Sequence, residues 1–165
     1  RSDEIVPCVA RPHSPDNYSP ATDLANVTLD RAYIGSCTGG KISDFVAAAE
    51  ILDGREVTID TFLVPATSTV ASALDTVTVN GRSLTDIFLA AGCLPAAPPS
   101  CAACLGGPED TFGRTHGDER VISTTNRNFP GRMGSKKASV FLASPLTVAA
   151  SAVTGRITDP RTMLS

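Results

Sequence analysis

Apolar positions along the chain fall into short blocks, each closed by Gly, Pro or a polar run. Leu29 to Ile34 is β-prone and short, and Gly35-Ser-Cys-Thr-Gly-Gly40 follows at once. The run from Phe45 to Leu52 then reads as the body of a helix begun by Ser43-Asp44, with Ser43 as N-cap. Val57 to Val64 becomes apolar on both faces toward its end, as buried parallel strands are, and Pro65 stops it. A short helix is expected over Thr67 to Asp75 and another over Leu84 to Ala91, capped by Ser83 or Thr85, with Asn80-Gly81 as a turn between them. Gly92-Cys93-Leu94-Pro95 closes this unit.

Arg120 to Thr124 and Ala138 to Ala143 are the next expected strands. Ser144 as N-cap and Pro145 at the first helical position open the clearest helix, which runs through Leu146 to Val153 and stops at Gly155. Asp159-Pro160-Arg161 begins a last turn. Strands alternating with helices predict one α/β domain over residues 29–165 with a mainly parallel sheet. Residues 1–28, with Pro7, Pro12, Pro15, Pro20 and Asp16-Asn17, read as an extended, turn-rich lead-in. No repeat or linker divides the chain further.

Composition narrows the function classes. Hydrophobic residues at 42% and charged residues at 19% are globular values. A net charge of −3 argues against a nucleic-acid partner, which asks for a basic face. No apolar run approaches the roughly 18 residues of a membrane span. Five cysteines, an odd and sparse set, do not suit a disulfide framework. A reducing compartment, such as the cytoplasm, with some thiols serving a metal is expected. The opening Arg-Ser-Asp-Glu carries no initiator Met, signal or transit segment, so Arg1 reads as the edge of something larger.

The chemistry gathers at loops. Pro99-Ser-Cys-Ala-Ala-Cys-Leu-Gly-Gly-Pro108 points the sulfurs of Cys101 and Cys104 at one small volume, between stiff prolines and permissive glycines. Gly35 to Gly40 lacks both nucleotide-loop patterns, but it stands where an open α/β sheet binds ligands, and Cys37 sits in it. Its N–H groups suit an anion or a cluster sulfide near a helix start.

Cys37, Cys101 and Cys104 therefore suggest a shared metal site. Structural zinc asks for four ligands, and Cys8, Cys93, His13 and His116 stand at no persuasive spacing for the fourth. Cys93 ends an apolar helix and reads as a buried thiol, His13 as a surface residue. Three thiolates suit an iron–sulfur cluster with one iron left open for Lewis-acid chemistry. Arg127 and Arg132 have the planar fork that matches a carboxylate, with Asn126 or Asn128 as hydrogen-bonding neighbours.

Three stretches together resemble the aconitase superfamily, and within it the large-subunit family of 3-isopropylmalate dehydratases. They are Gly35-Ser-Cys-Thr-Gly-Gly-Lys41, Pro99 to Pro108, and Ser123-Thr-Thr-Asn-Arg-Asn-Phe-Pro-Gly-Arg-Met-Gly134. His13-Ser-Pro-Asp-Asn17 and Leu142-Ala-Ser-Pro145 are similar to the cyanobacterial and plastid form. The resemblance implies a three-layer α/β/α iron–sulfur domain, the third domain of a longer large subunit. It implies a [4Fe–4S] cluster on Cys37, Cys101 and Cys104, with Asn126, Arg127 and Arg132 meeting a small hydroxy-dicarboxylate substrate. The reaction implied is interconversion of 2- and 3-isopropylmalate by dehydration and rehydration, in leucine biosynthesis. The remaining large-subunit domains and a small subunit are the implied partners; they supply the acid–base groups, since no convincing base stands in this stretch. Homoaconitase or aconitase chemistry, a zinc module, and a fragment retained as a structural subunit are the competing readings.

Overall fold

The computed structural model describes residues 6–164; the opening Arg-Ser-Asp-Glu lies outside the described residues. The strands are β1 (Cys8–Ala10), β2 (Tyr18–Pro20), β3 (Arg31–Gly35), β4 (Asp60–Val64), β5 (Thr78–Val79), β6 (Arg82–Ser83), β7 (Arg120–Ser123) and β8 (Ser139–Leu142). The helices are α1 (Ser36–Gly39), α2 (Ile42–Leu52), α3 (Ser68–Ala73), α4 (Leu84–Ala90) and α5 (Pro145–Thr154).

One sheet runs in the order β2-β1-β8-β7-β3-β4. Its four strands β8, β7, β3 and β4 are parallel, and β1 and β2 extend it as an antiparallel hairpin edge. The lead-in thus contributes two strands that its proline-rich, aperiodic sequence does not announce. From β3 the chain passes to β4 on one side and then crosses to β7 on the other, so the sheet reverses its winding between β3 and β7. In open α/β sheets that crevice, at the carboxyl ends of the strands, is where ligands bind.

Alternating side chains divide the core by sheet face. Ala32, Ile34, Leu63, Ile122 and Phe141 meet α2, α4 and α5 in one cluster, where Phe45 and Phe88 stack edge to face at 5.9 Å. Tyr33, Phe62, Val64, Val121, Val140 and Leu142 face the other way, against Ala103 and Met133. The expected mostly parallel α/β sheet is therefore present. On the second face, however, the outer layer is coil: residues 94–119 and 124–138 cover it with a single 3-10 turn at Ala103–Leu105. Pro98, Pro99, Pro108 and a run of glycines keep that segment from forming longer helices.

Several expected boundaries shift for identifiable reasons. β3 starts at Arg31, because the Leu29 N–H donates to the Gly155 carbonyl instead of a strand. β4 starts at Asp60, because Val57 and Thr58 donate to Ala91 and Ala152 at the helix ends. Helix α2 begins one residue before Ser43, which lies inside it; the Asp44 carboxylate accepts from the Lys41 N–H at 2.9 Å. Ser144 accepts from Thr147 N–H and Gly155 closes α5 in the left-handed region, both as expected. Asn80 and Gly81, each at positive φ, make a two-residue hairpin turn between β5 and β6.

The last turn, Pro160–Thr162, is held by Asp159, which accepts from the Arg161 N–H at 2.9 Å and pairs with its guanidinium at 2.6 Å. Hydrogen bonding from the Arg161 side chain holds the Asp159 carboxyl below its ordinary range, against the opposing effect of burial. A depressed folded-state value stabilises above the ordinary Asp pKa, and that stability is lost as pH falls through the folded value. Asp159→Ala is expected to cost about 1 kcal/mol at pH 7, a melting temperature lower by roughly 2–4 °C. Thermal melts should show the gap narrowing below about pH 3.9; a gap independent of pH contradicts this account.

Candidate metal centre

At the end of β3 the chain turns abruptly, and close backbone approach dictates the glycines. A Cβ on Gly35 would lie 2.5 Å from the Val64 carbonyl oxygen of β4, and one on Gly39 would collide with Thr124 just after β7. The Thr124 Oγ1 accepts from the Gly35 N–H at 2.9 Å and donates to the Gly39 carbonyl at 2.9 Å. This clamps α1 into the crevice between β3 and β7. Ser36, buried at φ 63°, takes the strained left-handed turn that swings Cys37 outward to an exposed position.

The second sulfur-bearing loop is fixed by its own backbone. Ser100 Oγ accepts from the Ala102 N–H at 3.0 Å, and the Cys101 carbonyl accepts from Leu105 N–H at 3.1 Å and from the Cys104 thiol at 3.2 Å. The Ala102 carbonyl accepts from the Gly107 N–H at 2.8 Å. Ala103, between the two cysteines, is planted in the second-face core beside Tyr33 and Met133. Cys101 is half-buried and Cys104 buried. Burial pushes the Cys104 thiol up and Cys101 adds to this; the Ser36 hydroxyl and the Arg132 guanidinium pull it down.

The third element is the crossover from β7 to β8. Asn126 and Arg127 are exposed, and their side chains make no hydrogen bond or ion pair among the described residues. Arg132 is half-buried, with its guanidinium 5.6 Å from the Phe129 ring centre and its charge felt by Cys104. Asn128 differs from its neighbours. It is buried, and its Nδ2 donates to the Arg11 carbonyl at 2.9 Å and the Val140 carbonyl at 3.0 Å, so it staples the lead-in to the sheet, while its Oδ1 has no partner among the described residues.

Tyr33 lies beneath these loops. Its hydroxyl is buried and has no hydrogen-bond partner among the described residues. Burial pushes the phenol pKa up, and the thiols of Cys104, Cys101 and Cys37, in that order, push it further. No three His, Cys, Asp or Glu side chains among the described residues stand close enough to hold a single metal ion. A cubane asks for a different spacing, since each thiolate ligates its own iron. Three soft thiols, a nearby guanidinium and an orphaned phenol donor fit such a group.

The other thiols stand apart. Cys93 lies in the core of the helical face, pushed up to about 12 by burial, as expected of an inert thiol. Cys8 is exposed on β1 and donates to the Val6 carbonyl. His13 and His116 are exposed. Sequence reasoning did not single out Tyr33, Ser36 or Thr124; the one signal was a phenol placed in an otherwise apolar strand.

The chain belongs to the aconitase family (aconitate hydratase), whose family model matches residues 3–155. More particular likenesses are to large subunits. It is 53% identical to the chloroplastic 3-isopropylmalate dehydratase large subunit of Arabidopsis thaliana, over 98% of this chain and 33% of that protein. It is 45% identical to the 3-isopropylmalate dehydratase large subunit of Nitratidesulfovibrio vulgaris, over 96% of this chain and 36% of that protein. A probable methanogen homoaconitase large subunit of Methanosarcina mazei is 43% identical, over 96% of this chain and 38% of its own length. The chain spans about a third of the length of the curated relatives it matches. No described helix is long and apolar enough to cross a membrane.

Proposed function

We propose that this chain is the cluster-bearing part of a hydro-lyase that interconverts 2- and 3-isopropylmalate by dehydration and rehydration, as a step of leucine biosynthesis. Cys37, Cys101 and Cys104 hold a [4Fe–4S] cluster in this reading. One observation carries it: Thr124 clamps the Cys37 turn at the reversal point of the sheet, and Ala103, between Cys101 and Cys104, packs in the same second-face cluster as Tyr33 of β3 and Met133, the neighbour of Arg132. The cluster, when bound, supplies a Lewis acid through the iron that has no protein thiolate.

The chain's own residues bind and orient. Arg132 and Arg127 present forked donors to the substrate carboxylates, and Asn126 hydrogen-bonds the hydroxy-acid. The Phe129 ring under the Arg132 guanidinium limits its swing. Dehydration also needs a proton taken from carbon and one given to the departing hydroxyl. The proposal assigns those transfers to the remaining large-subunit domains and to a small subunit, with the whole working in the cytoplasm or plastid stroma.

The test is turnover after assembly with those partners. Wild-type assembly should isomerise 2-isopropylmalate. Arg132→Lys should keep its iron but lose about 30–100-fold in kcat/KM, the loss of a charged bidentate contact. Turnover of homoaconitate in place of isopropylmalate would move the reading to the homoaconitase branch. Full activity in Arg132→Lys would remove the carboxylate role.

A further inference from the structure

Tyr33 is built into its position more tightly than an apolar strand requires. Its neighbours in register are Phe62 on β4 and Ser123 on β7, and its ring packs in the second-face core. A Cβ on Gly113 would stand 2.7 Å from the ring, so the backbone there closes directly on it. A cavity of about 210 Å³ links the ring to Pro99, Ser100 and Ala103 of the cysteine loop. Phenylalanine would fill the ring's slot without the hydroxyl. A buried O–H without a partner is destabilising, and such groups are rare in folded proteins.

We infer that the Tyr33 hydroxyl donates a hydrogen bond to a sulfur of the cluster held by Cys37, Cys101 and Cys104, acting as a positioning residue that tunes it. This rests on the cluster reading above. Thiolate and sulfide are acceptors, and Ala103, between Cys101 and Cys104, packs in the same cluster as the Tyr33 ring, whose hydroxyl is buried without a partner among the described residues. A donor to sulfur favours the more negative, reduced state of a cluster.

Tyr33→Phe and wild-type chains, reconstituted anaerobically, provide the test. Both should take up the same iron and sulfide. At a potential near the wild-type midpoint, the variant's ratio of reduced to oxidised cluster should be about fivefold lower, the factor for one net hydrogen bond. The Fe–S vibrational bands of the wild type should shift in deuterated water, and the part of that shift due to Tyr33 should vanish in the variant. Before loading, the variant should melt at or above the wild type, because it no longer buries an unpaired hydroxyl. An unchanged ratio, a deuterium shift of full size in the variant, or a less stable unloaded variant overturns the inference while leaving the cluster reading intact. Failure of the wild type to bind iron overturns both.

Discussion

Replacing Cys37, Cys101 or Cys104 singly by Ala is expected to give a folded chain that retains no [4Fe–4S] cluster after anaerobic reconstitution. The fold should survive because none of the three sulfurs anchors the main core. Cys37 is exposed on α1, Cys101 is half-buried, and the Cys104 thiol meets the Cys101 carbonyl of its own loop and the Ser36 hydroxyl at the start of α1. Truncating so small a side chain costs on the order of 1 kcal/mol, little against a domain's stability. Cluster binding has no such margin, because three thiolates are the whole protein ligand set in this account. Cys93→Ala is the control: it removes a thiol from the opposite face of the sheet and should leave iron uptake unchanged. Full iron and sulfide in Cys37→Ala would show the ligand assignment to be wrong.

Gly39→Ala carries the second large effect, and it acts on the fold and the site together. The added methyl has no room beside Thr124, whose hydroxyl ties Gly35 and Gly39 to the end of β7. Backbone has to move on one side or the other. We expect a loss of about 3 kcal/mol or more, a melting temperature lower by roughly 6–12 °C, and weakened cluster binding as Cys37 is displaced. Gly54 separates crowding from backbone strain. It sits at positive φ (77°), as Gly39 does not, but nothing lies within 4 Å of a Cβ there, so Gly54→Ala should cost only about 1 kcal/mol. Equal losses at the two positions would contradict the close-approach explanation.

Much of this was legible in the residues. Ser144-Pro145 and Gly155 are local signals, and local signals set the bounds of α5 nearly as expected. The ligand role proposed for Cys37, Cys101 and Cys104 comes from two specific loops and the arginine-bearing loop occurring in one chain. Other features depend on distant partners. Cys8–Ala10 and Tyr18–Pro20 become strands only because β8 offers an edge to pair with. Asn128 looks, by type and neighbourhood, like Asn126, yet its amide nitrogen is taken up by the Arg11 and Val140 carbonyls. The coil on the second face follows from proline and glycine, while the layer expected there rested on resemblance alone. Tyr33 shows in the sequence only as a phenol in an otherwise apolar strand; its orphaned hydroxyl is defined by the loops folded over it.

The central claim is that this chain carries an iron–sulfur site, and the direct measurement is iron, acid-labile sulfide and zinc per chain after anaerobic reconstitution. The account predicts about four iron and four sulfide per chain with little zinc. A folded chain that takes up no iron, or binds zinc in its place, would contradict it.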